Sequence, residues 1–286
     1  MQTKYRGVTS YIEVLKPRES ILLTFIGGCA AVIAGDGHPP LNLLLLAVIT
    51  ILLAAAGANG LTNYLDRDVD ARMQRTRHRA LPSKRIDPPE KVLPLTVGLV
   101  IIGLVLAWQL HPFCLLFDII GTLAAVVWRK RATCVFPQGV LAGCAPVLMG
   151  WFAIKPAFGW EILLLCILIA VWLPLHVWSV MVAKREDYLQ AGLDYFPVSR
   201  EVREAVKVLL VFSLMLYAAS ITLYLLGSFA WLYLVLANLL GIVMVYASSR
   251  LVISSSSRNA WRLYKLSAFP YLGLIFLTMC LDIWLL

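Results

Sequence analysis

The chain has 286 residues, of which 60% are hydrophobic and only 14% are charged, and its mean hydropathy is +0.82. Long apolar runs recur from one end to the other, which excludes a soluble globular domain and indicates a polytopic helical membrane protein. A net charge of +9 would suit a nucleic-acid-binding protein, but it also suits a membrane protein with basic cytoplasmic loops. The positions of the charges distinguish the two.

Nine segments are apolar enough to be predicted as membrane-spanning helices, for which about 20 residues are needed. They cover approximately residues 20–35, 41–62, 91–110, 112–128, 138–154, 160–183, 205–226, 228–249 and 264–285. The sequence therefore predicts an all-α integral membrane protein, with residues 1–286 forming one domain of about nine helices around a central cavity.

The basic residues predict the orientation of this bundle. All 25 lysines and arginines except Lys155 fall in the N-terminal segment or in alternate loops. The positive-inside rule then places the N-terminus and the long polar loops in the cytoplasm and the C-terminus outside, in a prokaryotic inner membrane. The lipid bilayer explains the basic excess, so we expect no nucleic-acid partner.

A polar stretch follows the second predicted helix. Asn59, Asn63, Asp66 and Asp70 fall within about 60° of one another on a helical wheel. Neighbouring carboxylates repel unless a positive charge lies between them, and Mg²⁺ is commonly shared between carboxylates and a substrate phosphate. Basic residues that bind phosphates follow, among them Arg75 and Arg79. The stretch predicts a diphosphate site; the alternative, a charged helix end that only sets topology, explains the arginines but not the one-sided acids.

A second charged loop follows the segment 160–183. Asp187 and Asp194 are candidates to complete the metal–diphosphate site; the alternative is a surface loop in which Lys184 and Asp187 pair. His176 lies two turns before this loop, where it either contacts a substrate or hydrogen-bonds a neighbouring helix.

Two further features remain open. Lys130 and Arg131 belong to a third basic cluster, which either binds phosphate or only sets topology. Asp118, in the middle of the fourth predicted helix, has no role in this scheme.

Several motifs resemble those of the UbiA-type intramembrane prenyltransferases, and within them the protohaem IX farnesyltransferase family. They are residues 62–70 (TNYLDRDVD) with 73–76 (MQRT) and 79–82 (RALP), 172–178 (WLPLHVW), 187–197 (DYLQAGLDYFP) and 264–272 (YKLSAFPYL). The chain departs from the family pattern at Thr62, where Asn is usual, and at Ala80, Lys84, Leu173 and Leu175.

The resemblance implies a UbiA-like bundle that transfers the farnesyl group of farnesyl diphosphate to a vinyl group of haem b. Water then adds to give the hydroxyethylfarnesyl group of haem O. The resemblance also implies that Asp66, Asp70 and Asp187 bind Mg²⁺ and that Arg75 is the fourth catalytic residue. With the residue pattern, it implies further substrate contacts: to diphosphate by Asn59, Asn63, Arg79, Lys130, Arg131 and Lys184, and to haem by His176, Trp172 and Tyr188. A haem A synthase or a terminal oxidase assembly is the implied protein partner.

Three other functions remain open. One is a sister UbiA-type enzyme that prenylates an aromatic acid, a quinone precursor or a glycerol lipid. Another is a transporter of an anionic lipid or porphyrin, although transporters often contain inverted repeats and none is evident here. The third is a structural partner of an oxidase assembly, but that function would not explain the acidic residues.

Overall fold

A computed structural model of the chain describes residues 2–127, 138–227 and 229–285, and the regular structure of these residues is entirely helical. The helices are α1 (Gln2–Val14), α2 (Pro17–Ala34), α3 (Leu41–Arg72), α4 (Leu93–Leu110), α5 (Pro112–Val127), α6 (Gln138–Ile154), α7 (Trp160–Ala183), α8 (Arg185–Gln190), α9 (Val202–Leu226), α10 (Trp231–Ser254), α11 (Ser257–Leu266) and α12 (Leu274–Leu285). A 3₁₀ turn (Pro89–Val92) precedes α4, and a π-helical segment (Ser267–Gly273) joins α11 to α12.

The helical segments agree with the predicted membrane class. Within the described residues, seven are long and apolar enough to cross a membrane, and α5 and α6 are shorter apolar helices. Large apolar side chains are exposed around the bundle, including those of Ile101, Trp108, Leu225 and Val235, which is expected where the solvent is lipid. The all-α membrane bundle is confirmed, while the count of nine spans stays a prediction.

Close contact between α2 and α6 depends on glycine. A Cβ atom on Gly150 would overlap the carbonyl oxygen of Gly27, and a Cβ on Gly27 would lie 2.6 Å from the carbonyl oxygen of Pro146. Small residues allow helix backbones to approach in membranes, where packing replaces the hydrophobic effect as the driving force.

The length of α3 positions the polar stretch. The helix continues to Arg72 without a break, and its 32 residues make it about 48 Å long. A bilayer hydrocarbon core is about 30 Å thick. The last turns of α3, which carry the acidic residues, therefore extend beyond the apolar layer.

A small second core supports the loop after α3. Val14 of α1 packs with Leu81, Ile86 and Val92, and the Arg85 guanidinium lies 2.5 Å from a carboxylate oxygen of Glu13. The amphipathic α1 thus fixes the loop that follows α3.

Candidate active site between the loops after α3 and α7

The end of α3 has the one-sided polar face that the sequence predicts. Asn63, Asp66 and Asp70 are buried, with 8%, 5% and 1% of their surfaces exposed. On the other side of the helix, the Asp68 side chain is 61% exposed. Burying two carboxylates on one face is costly unless positive charge compensates them.

Part of that compensation comes from Arg79. Its guanidinium donates to Asp70 Oδ2 at 3.1 Å, because the chain turns back on the helix end after Met73. The Thr76 hydroxyl closes the same turn by donating to the Asp70 carbonyl oxygen at 3.0 Å. Arg79, predicted to bind diphosphate, is thus paired with an acidic residue of the last turn of α3.

Asp187 joins the second loop to the first. Its Oδ1 accepts the backbone N–H of Gln74 at 2.5 Å, and its Oδ2 accepts that of Arg75 at 3.1 Å. The carboxylate is 9% exposed and lies in the short helix α8. The structure therefore brings together the two charged loops, which are separated by more than 100 residues.

Tyr188 and Arg75 lie at the centre of this junction. Burial raises the pKa of Tyr188 above its usual value, and the charges of Asp70 and Asp187 raise it further, while the neighbouring Arg75 opposes them. Arg75 Nε is buried and has no hydrogen-bond partner among the described residues, so the guanidinium retains a donor.

A cavity of about 600 Å³ opens beside the junction. Its wall combines donors and acceptors from both loops with serines from the connection between α10 and α11 and from the first position of α11. It includes Gln74, Arg75, Lys184, Asp187, Ser255 and Ser257. A charged, concave opening at the end of an apolar bundle suits an anionic group attached to a hydrophobic molecule.

The two amides of α3 contact neighbouring helices. Asn59 Nδ2 donates to Ser20 Oγ at 3.0 Å, and Asn63 Nδ2 donates to the Val14 carbonyl oxygen at 2.5 Å. Their NH₂ groups hold the α1–α2 connection against α3. Their predicted contact with diphosphate stays a prediction.

His176 lies between two aromatic rings. Its ring centroid is 4.8 Å from that of Trp172 and 4.6 Å from that of Tyr264, and Nδ1 lies 2.9 Å from Ser267 Oγ. The Ser267 hydroxyl also lies 2.9 Å from the Tyr264 carbonyl oxygen, so it bridges the His176 ring and the backbone of α11. The helix–helix hydrogen bond considered from the sequence is thus present.

Trp172 contacts the same segment. Its Nε1 donates to the Ser267 carbonyl oxygen at 2.5 Å. That carbonyl becomes accessible because Ala268 leaves the helical conformation (φ −69°, ψ −133°), two residues before Pro270. Sequence analysis missed Ser267 as a partner of α7, although Pro270 within an apolar segment is a signal for a helix break.

Of the other predicted residues, Lys184 lines the cavity beside the junction. Lys184 Nζ lies 5.4 Å from the centre of the Trp261 ring, and Asp194 is exposed. Lys130 and Arg131 lie outside the described residues.

The predicted metal ligands need a substrate to complete a site. In the described ranges, no group of three or more His, Cys, Asp or Glu residues is placed to hold a metal ion. Asp66 and Asp70 are nevertheless buried one turn apart on one face of α3. Two carboxylates suit Mg²⁺, which takes its remaining oxygen ligands from water and substrate phosphates. The donor set therefore fits the ion.

The helical bundle has the fold of intramembrane prenyltransferases. It superimposes on a digeranylgeranylglyceryl phosphate synthase with a TM-score of 0.77, at 17% identity and over 97% of this chain and 98% of that one. A UbiA homologue from Archaeoglobus fulgidus, bound to DMAPP and Mg²⁺, gives a TM-score of 0.70 at 15% identity, over 97% of this chain and 100% of that one.

The chain belongs to the UbiA prenyltransferase family, whose model matches residues 21–273. It is similar to proteins named Protoheme IX farnesyltransferase. That of Desulforudis audaxviator is 35% identical, with 96% of this chain and 89% of the relative covered. That of Gloeobacter violaceus is 36% identical, with coverage of 96% and 92%. The protein is therefore a membrane prenyltransferase, and its relatives indicate which acceptor to test.

Proposed function

We propose that this protein transfers the farnesyl group of farnesyl diphosphate to a vinyl group of haem b and that water adds to form haem O. The main structural support is the Asp187 carboxylate, which binds the backbone of the first charged loop and so makes one site from two loops. The choice of haem rests on the similarity to the protohaem IX farnesyltransferases.

Within this proposal, Asp66 and Asp70 bind Mg²⁺ with help from Asp187. The ion supplies charge neutralisation for the departing diphosphate. Arg75, whose buried Nε has no hydrogen-bond partner within the described part of the chain, donates to a diphosphate oxygen. Arg79 exchanges its Asp70 partner for another phosphate oxygen. A buried donor such as Arg75 favours ionisation of the allylic C–O bond, because it is in place before charge develops.

The other predicted contacts complete the substrate sites. Asn59, Asn63 and Lys184 assist diphosphate binding, as do Lys130 and Arg131. His176, Trp172 and Tyr188 contact haem. His176 is held between two aromatic rings, with its Nδ1 at 2.9 Å from Ser267 Oγ.

The loops, and with them the active site, face the cytoplasm of a prokaryotic cell, and the C-terminus lies outside. The supporting observation is that Lys155 alone breaks the alternation of basic loops. A haem A synthase or a terminal oxidase assembly is the proposed recipient of the product.

The test is product analysis with purified protein in lipid. Haem b, farnesyl diphosphate and Mg²⁺ are incubated with the enzyme, and the haem is identified by chromatography and mass spectrometry. We expect a hydroxyethylfarnesyl haem that is lost with EDTA and in Asp66→Asn. Diphosphate release without a haem product would favour a sister UbiA-type enzyme. No diphosphate release with any acceptor would favour a transporter.

A further inference from the structure

Asp118 is a buried carboxylate that the proposed transfer step does not use. It lies in the middle of the apolar helix α5 and is 3% exposed. Its Oδ1 accepts the Thr122 hydroxyl at 3.2 Å, and its Oδ2 is buried without a hydrogen-bond partner among the described residues. An ionisable side chain in this position is costly and indicates a functional site.

The carboxyl group lies at a cavity of about 110 Å³ between α3, α5 and α6. Most of the wall is apolar and made of small side chains, including Ala58, Gly121 and Ala145. Its polar members are Asp118, Thr122 and Asn59. A cavity of this size, with two or more polar partners in an otherwise apolar wall, suits water.

Asn59 connects this cavity to the candidate active site. It lies on the same face of α3 as Asp66, two turns earlier, which corresponds to about 10 Å along a helix axis. Its NH₂ group is fixed by Ser20 Oγ, which leaves the amide oxygen as an acceptor. The polar part of the cavity is therefore beneath the proposed diphosphate site, on the side of the bilayer core.

We propose that Asp118, with Thr122 and Asn59, binds the water that becomes the hydroxyl group of the product and accepts its proton. This inference rests on the proposed farnesyl transfer to haem. Bond formation between the farnesyl group and the terminal vinyl carbon leaves a cation on the carbon next to the porphyrin. The water oxygen bonds to that carbon, its O–H bond breaks, and the proton moves to Asp118 Oδ2. The proton then passes to the released diphosphate, so that one farnesyl diphosphate, one haem b and one water account for all atoms.

An alternative fate of the cation makes the role testable. If no base and water are in place, the cation loses a proton from the adjacent carbon and forms an alkene, which is lighter than the hydroxylated product by one water. The fraction of farnesylated haem that is hydroxylated therefore reports water capture independently of the transfer rate.

The experiment compares Asp118→Asn and Thr122→Val with wild type in water labelled with heavy oxygen. The control is Thr278→Val, since Thr278 is also a threonine within an apolar helix and donates to the Leu274 carbonyl oxygen of that helix. We expect the alkene-to-hydroxyl ratio to rise about tenfold or more in Asp118→Asn. A smaller rise is expected in Thr122→Val and none in the control.

Other outcomes separate failure of this inference from failure of the proposed function. A wild-type product ratio in both variants would overturn the role of Asp118. So would loss of all farnesylated haem in a folded Asp118→Asn protein, because the carboxyl group would then be needed before water capture. If Asp118→Asn does not fold, the alkene-to-hydroxyl ratio in Thr122→Val tests the role of the cavity instead. A wild-type ratio in Thr122→Val would then overturn the inference. Absence of any farnesylated haem from the wild-type enzyme would instead contradict the proposed function.

Discussion

The carboxylates near the ends of α3 and α7 differ in their partners, and the partners indicate different roles. Asp70 pairs with the Arg79 side chain, which a phosphate group can attract away. Asp187 is bound by two backbone N–H groups, which belong to the turn itself. Asp187 therefore positions the first loop, whichever ligands it also binds.

We expect Asp187→Ala to release the first loop. Charge-assisted hydrogen bonds are worth about 1.5–3 kcal/mol each, and loss of alignment in an active site costs about 100-fold in rate. In Asp187→Ala, trypsin should cleave between Arg75 and Arg85 faster than in wild type. The turnover rate should fall about 100-fold. The control is Asp194→Ala on the same loop, where the side chain is exposed. Unchanged trypsin resistance in Asp187→Ala would contradict the positioning role.

The pKa of Tyr188 predicts a specific pH dependence of stability. Burial raises this pKa above the usual value of 10.0, so the phenol is neutral in both folded and unfolded protein below that pH. Above it, the unfolded chain loses the proton first, and stability should fall as pH rises. We expect a steeper loss of thermal stability above pH 10 in wild type than in Tyr188→Phe. Parallel curves for the two proteins would show that Tyr188 does not retain its proton.

At the scale of the elements, the break between α11 and α12 places polar groups beside α7. The Ser267 hydroxyl is hydrogen-bonded to the His176 ring, and the Ser267 carbonyl oxygen accepts from Trp172 Nε1. Without the non-helical Ala268, the carbonyl would point along the helix axis. The break thus orients two of the three proposed haem contacts.

We therefore expect Ser267→Ala to weaken haem binding. Loss of a buried partner costs about 1–1.5 kcal/mol, which corresponds to roughly a fivefold to tenfold rise in the Kd of haem b. The KM of farnesyl diphosphate should change little, because the diphosphate binds to other loops. Ser213→Ala is the control, since Ser213 is buried and its hydroxyl has no hydrogen-bond partner among the described residues. Equal effects on both substrates would contradict a haem-specific role.

The contact between α2 and α6 predicts a strong effect of one methyl group. Gly150→Ala places a Cβ atom against the Gly27 backbone, and overpacking of this kind costs about 1–3 kcal/mol. We expect a lower Tm in detergent or lipid. Gly98→Ala, in α4, is the matched control because nothing lies within 4 Å of the added Cβ. Similar melting of the two variants would rule out tight packing at this crossing.

At the scale of the whole molecule, the features that could be predicted from the sequence are those that follow from a regular pattern. Helix positions follow from apolar length, and the buried face with Asp66 and Asp70 follows from the 3.6-residue period, because both are local properties of the chain. The partners of Asp187 and the contact of His176 with Ser267 depend on segments about 90 or more residues apart. Without a repeat or spacing rule that links those segments, such contacts cannot be predicted from the sequence.

The cavity at Asp118 shows the same limit in another form. The sequence identifies a carboxylate in an apolar helix, but it does not identify the neighbours of that carboxylate. Asn59, which the sequence assigned to diphosphate binding, lines the cavity because α3 and α5 are in contact. The proposed role of Asp118 therefore depends on tertiary packing, which the local sequence pattern does not reveal.

A competition for the farnesyl group is the most direct test of haem as the acceptor. Wild-type protein in lipid receives radiolabelled farnesyl diphosphate, Mg²⁺ and equal amounts of haem b and an aromatic acid acceptor, with an EDTA-treated sample in parallel. The proposed function predicts that the label enters the haem fraction as the hydroxyethylfarnesyl product and that EDTA abolishes the transfer. Label in the aromatic acid, with the haem unchanged, would contradict it.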